Sequence, residues 1–134
     1  MIVVDVSAIV AILTGESGDD ALMTALEGES DIETSPVAVY EATLGVARVL
    51  SLSVEDAETS VMEFLRLTGV VVQPIKSETV HVALQAFARY GKGGRHPARL
   101  NMGDCFIYAH ARTAGAALLY KGDDFSKTDI ESAA

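Results

Sequence analysis

Four short strand-like runs, separated by stretches with helical spacing, limit what this chain can fold into more than any other feature. They are IVVDV (2–6), DIETS (31–35), VVVQP (70–74) and AALLY (116–120). The first is β-branched and apolar without alternation, the pattern of a strand covered on both faces. Strands that alternate with helices form a parallel sheet with helices on either side. The expectation is one α/β domain, residues 1–134, built on a mostly parallel central sheet of four or five strands.

The intervening stretches carry helix punctuation. SAIVAIL follows the first run, with Ser7 placed as a candidate cap. GDDALMTALEG has Asp19 and Asp20 in its first turn and Gly28 at its stop. Ser35 and Pro36 open PVAVYEATLGVARVL, since proline suits the first helical turn. Ser53 caps a further helix whose early acids and late Arg66 complement the helix dipole before Gly69. SETVHVALQAFARYG places Val80, Ala83, Leu84 and Phe87 at core spacing, and MGDCFIYAHARTAG ends at Gly115.

Composition excludes several classes. With 49% hydrophobic and 22% charged residues, disorder is excluded. The single cysteine, Cys105, rules out an internal disulfide framework. The apolar start carries Asp5 and lacks a basic flank, unlike a signal peptide, and no uncharged run approaches a membrane span. A cytoplasmic domain is the expectation.

A formal charge of −9 argues against simple electrostatic binding to nucleic acid, but the charge is unevenly placed. Residues 1–88 hold 14 acids and 3 bases, whereas residues 89–134 hold 5 acids and 7 bases. Arg89, Lys92, Arg95 and Arg99 fall in RYGKGGRHPAR. That stretch reads either as a solvated loop or as a flexible basic flap able to hold phosphates.

The acids embedded in apolar segments carry the chemistry. Asp5 stands at the carboxyl end of the first strand, where open α/β sheets bind ligands. A helix cap is its alternative role. Glu41 has no cationic neighbour three or four positions away on its helix and lies either buried or on a narrow solvent strip. Asp104 opens a helix, where dipole complementation alone accounts for an acid. Asp123 and Asp124 follow the fourth strand in a turn-like GDDF.

Parallel topology gathers these acids at one sheet end. Crowded carboxylates raise one another's pKa, a conflict that a hard divalent cation resolves. His81, His96, His110 and Cys105 lack the spacing of zinc ligands. His110 also points about 240° round the helix from Asp104. A carboxylate-only Mg²⁺ site suits phosphodiester hydrolysis.

With these residues in view, the chain resembles the PIN-domain ribonucleases of the VapC toxin type, from bacterial VapBC toxin–antitoxin pairs. The likeness runs through VVDVSAIVAIL, VYEA, YGKGGRHPARLNMGDCFIYAHAR and LLYKGDDFSKTDI, nearly the whole chain. It implies a three-layer α/β/α fold and an endoribonuclease dependent on Mg²⁺ or Mn²⁺. Asp5, Glu41 and Asp104 become the metal ligands. Many PIN domains place another acid where this chain has Gly122, so the fourth position falls to Asp123, failing it Asp124, or else to water. Ser7 orients Asp5 or holds a metal-bound water. RNA contacts fall to Arg89, Lys92, Arg95, Arg99 and Arg112. A VapB-type antitoxin is the implied partner, with a toxin homodimer and a heterotetramer or larger complex. The apolar helices between 36 and 68 are the expected dimer contacts, and the last strand is expected to be short or missing.

Two other readings compete. A degenerate PIN domain would bind RNA or antitoxin without cutting, but the three core acids are intact. A phosphoacceptor receiver domain wants paired acids after the first strand and an acceptor Asp after the third. The chain has Asp5-Val6-Ser7 and Gln73-Pro74-Ile75 there instead.

Overall fold

The computed structural model describes residues 1–134. In chain order the elements are β1 (Ile2–Val4), α1 (Val6–Thr14), α2 (Asp19–Glu27), β2 (Ile32–Thr34), α3 (Pro36–Leu50) and α4 (Val54–Thr68). These are followed by β3 (Val71–Val72), α5 (Thr79–Tyr90), α6 (Met102–Ala114) and β4 (Ala117–Leu119), with a 3₁₀ turn at Phe125–Lys127. The sheet order is β3-β2-β1-β4, and every pairing is parallel. An isolated bridge between Leu118 and Ser132 lays the C-terminal segment along the outer edge of β4, in place of a fifth strand.

The layers follow from the strand sequences. In β1, Ile2 and Val4 face one core with α1–α4, while Val3 faces a second core with α5 and α6. Strand side chains alternate between faces, so an uninterrupted apolar run is what a doubly covered strand requires. Leu118 and Leu119 divide between the two cores in the same way. Thr34 is fully buried in β2, and its hydroxyl donates to the Val4 carbonyl at 2.8 Å, so it carries no unsatisfied polar group.

Most helix boundaries match their punctuation. Ser35 Oγ accepts the Ala38 amide at 3.1 Å with Pro36 in the first turn, and Ser53 Oγ accepts the Asp56 amide. Gly69 and Gly115 close α4 and α6 in the left-handed region, at φ +74° and +66°.

Four expectations need correction. Strand β1 stops at Val4 rather than Val6, and of the two candidate caps for α1, Asp5 and Ser7, it is Asp5 that acts: its carboxylate accepts the Ser7 amide at 3.0 Å. Asp104 is the third residue of α6, and Asn101 is its cap. On α5 the buried face is Thr79, Ala83, Ala86 and Tyr90, while Val80, Leu84 and Phe87 are 42%, 62% and 50% exposed. Small side chains let α5 lie close to α6, and the bulky stripe is left outside.

The basic loop is also not a free flap. Leu100 N donates to Tyr90 O and Lys92 N donates to Leu100 O, both at 2.8 Å, closing its base. Ala98 and Leu100 are buried, and His96 packs edge-on against Tyr90. The left-handed backbone at Arg99 (φ +56°) turns the chain back toward this closure.

Candidate active site

Strand order reverses between β1 and β4: the chain passes from β1 to β2 and β3 on one side, then returns to β4 on the other. A crevice outside the carboxyl ends of such a pair is the usual ligand position in open α/β sheets. Asp5 leaves β1 there, and its amide donates to Leu119 O of β4 at 2.9 Å.

Asp5 is 4% exposed. Its carboxylate accepts both the amide and the hydroxyl of Ser7, at 3.0 and 2.5 Å. Ser7 Oγ in turn accepts the Lys121 amide at 2.9 Å, tying the exit of β4 to that of β1. Burial pushes the Asp5 pKa up against these hydrogen bonds, with a further push from Glu41. An ionised carboxylate in this position lacks the charge partner that burial calls for.

Glu41 reaches the same edge from the second turn of α3. Burial and then the Asp104 charge raise its pKa. It lies directly over the first turn of α6, against Gly103. A Cβ added to Gly103 would collide with Glu41 Oε1 and stand 3.0 Å from Cδ and 3.1 Å from Oε2. The glycine leaves space that the carboxylate fills.

Asp104 is fixed by a reciprocal capping box. Asn101 Oδ1 accepts the Asp104 amide at 2.9 Å, and Asp104 Oδ2 accepts the Asn101 amide at 3.0 Å. Burial nonetheless drives the Asp104 pKa up to about 6, with Asp5 and Asp124 adding to it and the Asn101 amide opposing. Through these charge effects Asp5, Glu41, Asp104 and Asp124 form one coupled group. Asp123 and Asp124 are both exposed in the turn after β4, and it is Asp124 whose charge reaches Asp104.

None of these five acids takes part in an ion pair; the six pairs in the molecule lie elsewhere. No three of the carboxylates stand close enough to form a ready-made three-ligand cage. The donor set still fits a hard cation, because Mg²⁺ is commonly held by one or two carboxylates with water filling its other positions. An all-oxygen, mutually repelling group without a basic partner has the chemistry such an ion satisfies. Neighbouring Cys105 is buried with its thiol raised to about 11, so it is an inert core residue.

Of the basic residues named from the sequence, Lys92, Arg95 and Arg99 are exposed on the anchored loop. Arg89 and Arg112 turn toward Asp129 instead, at 3.6 and 3.7 Å. His110 stands 3.0 Å from Glu33, away from the acids. The sequence reading missed three contributors. Asn101 was legible in the N-x-x-D spacing of a capping box, Gly103 lay inside a quoted motif, and Asp129 gave no local signal.

Comparison with known proteins agrees with this geometry. The family model for the PIN domain matches residues 2–131. Ribonuclease VapC42 of Mycobacterium tuberculosis is 40% identical over 131 residues, covering 98% of each chain. A VapC ribonuclease of Rhizobium meliloti is 38% identical over 138 residues, covering 95% of this chain and 97% of its own. Among solved structures, M. tuberculosis VapC20, described as a sarcin-ricin loop cleaving toxin, superposes with a TM-score of 0.73 at 18% identity over 97% of this chain and 96% of that one. The switch-point acids, the wholly parallel sheet and these near-full-length matches together show that the chain belongs to the PIN-domain family, among the VapC ribonucleases.

Proposed function

We propose that this protein is a metal-dependent endoribonuclease, the toxin of a toxin–antitoxin pair, held in check by a cognate VapB-type antitoxin. The observation that carries this reading is the coupled carboxylate group at the β1/β4 switch point, which has no cation of its own. The relatives' designation as VapC ribonucleases supports RNA as the substrate.

Asp5, Glu41 and Asp104 would hold Mg²⁺ or Mn²⁺, with Asp124, or Asp123 beside it, as an outer acid. When bound, such an ion neutralises charge developing on the phosphate and lowers the pKa of water at the reaction centre. Ser7 holds the Asp5 carboxylate in place through two hydrogen bonds. The Asn101 amide does the same for Asp104. Asp104, raised to about 6, would have to be ionised to hold the ion, so loading would weaken as pH falls through about 6. Lys92, Arg95 and Arg99 offer exposed cations to the strand backbone.

The test is cleavage of total RNA with Mg²⁺, with and without chelator. Wild type should cut only with the metal. Asp5→Asn and Asp104→Asn should cut slower by about a hundredfold or more, the scale on which loss of one electrostatic contact lowers rates. Wild-type rates in both variants would remove the site assignment.

A homodimer belongs to the same proposal. Tyr40, Val49, Val54 and Leu67 of α3 and α4 are each more than half exposed, a large apolar area for a free surface. Light scattering at micromolar concentration should give twice the chain mass; a monomer there would remove this part of the reading.

A further inference from the structure

Arg89 near the end of α5 and Arg112 near the end of α6 converge on one carboxylate. Asp129 Oδ2 lies 3.6 Å from Arg89 Nη1 and 3.7 Å from Arg112 Nη1. These are ion-pair distances, but too long for hydrogen bonds, so the guanidinium donors remain free. Asp129 Oδ1 accepts the Tyr108 hydroxyl at 2.5 Å, and the Asp129 amide donates to the Tyr90 hydroxyl at 3.3 Å. The Tyr108 hydrogen bond leads the effects that hold the Asp129 carboxyl below its usual range, with Arg112 and Arg89 adding to it. Both tyrosines are buried, at 2% and 5% exposure, so the aromatic floor is fixed while the two arginines reach outward.

Together these residues line a cleft of about 480 Å³ between α5, α6 and the segment after β4, with Gln85 on its wall. Two cations face one anion, leaving a net positive charge in a protein that is otherwise strongly acidic. The cleft also has a defined relation to the acidic edge. Tyr108 and Arg112 are four and eight residues on from Asp104, so the three lie along one side of α6 and span about 12 Å. The chain after β4 follows the same helix, with Asp124 acting on Asp104 and Asp129 meeting Tyr108 and Arg112.

We propose that this cleft binds a backbone phosphate of the RNA strand flanking the scissile bond, and that Asp129 occupies the phosphate's position until the strand displaces it. The inference rests on the ribonuclease reading above. Paired guanidinium groups suit phosphate oxygens, and the free N–H donors that Asp129 leaves unused are the ones a phosphate would take. Asp129 is thus a built-in competitor: it keeps the two arginines apart and oriented while lowering their attraction for an anion.

The test is the binding of a short fluorescein-labelled single-stranded RNA to the full chain carrying Asp104→Asn to prevent cleavage, read by anisotropy across a salt series. Adding Arg89→Gln and Arg112→Gln should weaken binding and lower the slope of log affinity against log salt by about 0.7, the loss of one phosphate contact on a single strand. Adding Asp129→Asn should instead tighten binding several-fold, because Asn still accepts the Tyr108 hydroxyl while the competing charge is gone. A gain of affinity cannot come from misfolding. An unchanged salt slope in the arginine variant, or no tightening in Asp129→Asn, would overturn the proposal. Inorganic phosphate at matched ionic strength should displace RNA more strongly than chloride does from the Asp104→Asn chain, and no more than chloride does once Arg89→Gln and Arg112→Gln are added; equal displacement in both would overturn the proposal. Failure of the ribonuclease reading is a separate result, seen as wild type that cuts no RNA with Mg²⁺ whatever these variants bind.

Discussion

Asp104→Asn should melt several degrees above wild type in chelator at pH 7 while losing RNA cleavage. The Asp104 pKa is pushed up to about 6 by burial and by the neighbouring acids, against an ordinary value near 3.8. The folded state therefore holds this proton more tightly than the unfolded chain does. Ionising Asp104 costs the fold nothing well below pH 4, where both states are protonated; the cost grows between about pH 4 and 6 and is level above that. That elevation corresponds to about 1–3 kcal/mol after allowance for solvent screening at a half-buried group. Asn removes the charge but keeps an oxygen for the Asn101 amide, so the cap of α6 survives. The stability difference between variant and wild type should accordingly shrink toward zero as pH falls below about 4. Adding Mg²⁺ at pH 7 should raise the wild-type melting temperature and leave the variant unmoved, since only a species that binds the ion gains by mass action. Thermal melts at the two pH values, with and without Mg²⁺, check all three outcomes. A variant less stable than wild type at pH 7 in chelator would contradict the electrostatic account.

Gly103→Ala should fold normally and still lose about a hundredfold in cleavage rate. The three atoms nearest the added methyl group all belong to the end of Glu41, a flexible side chain that can swing aside at little cost to the fold. Alanine in place of glycine inside a helix stabilises by about 0.5–1 kcal/mol, so melting should be unchanged or slightly higher. The cost falls on geometry, since a displacement of one ångström at a reacting centre lowers rates by about a hundredfold. Combining Gly103→Ala with Glu41→Asp, which shortens the acid by one methylene, should recover part of the lost rate. A purely structural role for Gly103 predicts no such recovery. Equal activity of Gly103→Ala and wild type would show that Glu41 does not need its place over α6.

Both predictions concern the junction of α3 with α6, and that junction shows how far the sequence could be read. The helices themselves were legible, because their signals are local. Ser35-Pro36, Ser53 and Gly115 each act on backbone groups within a turn of themselves, and their structural roles follow. The parallel sheet was legible because a doubly covered strand must be apolar on both faces, as Ile2, Val3 and Val4 are.

The face of α5 was misread for a physical reason. Hydrophobic spacing favours bulky residues, yet close packing of two helices selects small ones. Ala83 and Ala86 went inside, and Val80, Leu84 and Phe87 stayed out. The double role of Asp5, capping α1 while lying buried at the switch point, was visible only as two competing alternatives. Each alternative described one half of what the carboxylate does.

By itself, then, the sequence determined the order of strands and helices, most of their ends, and which acids lack a local cationic partner. These properties depend on neighbours within a few residues along the chain. The tertiary structure decided which acids act on one another, that Asp124 rather than Asp123 reaches Asp104, and that Glu41 fills the space left by Gly103. It also joined Arg89, Arg112 and Asp129 into one cleft. Electrostatic coupling and steric fit depend on distance through space, and only the packed sheet and helices set those distances.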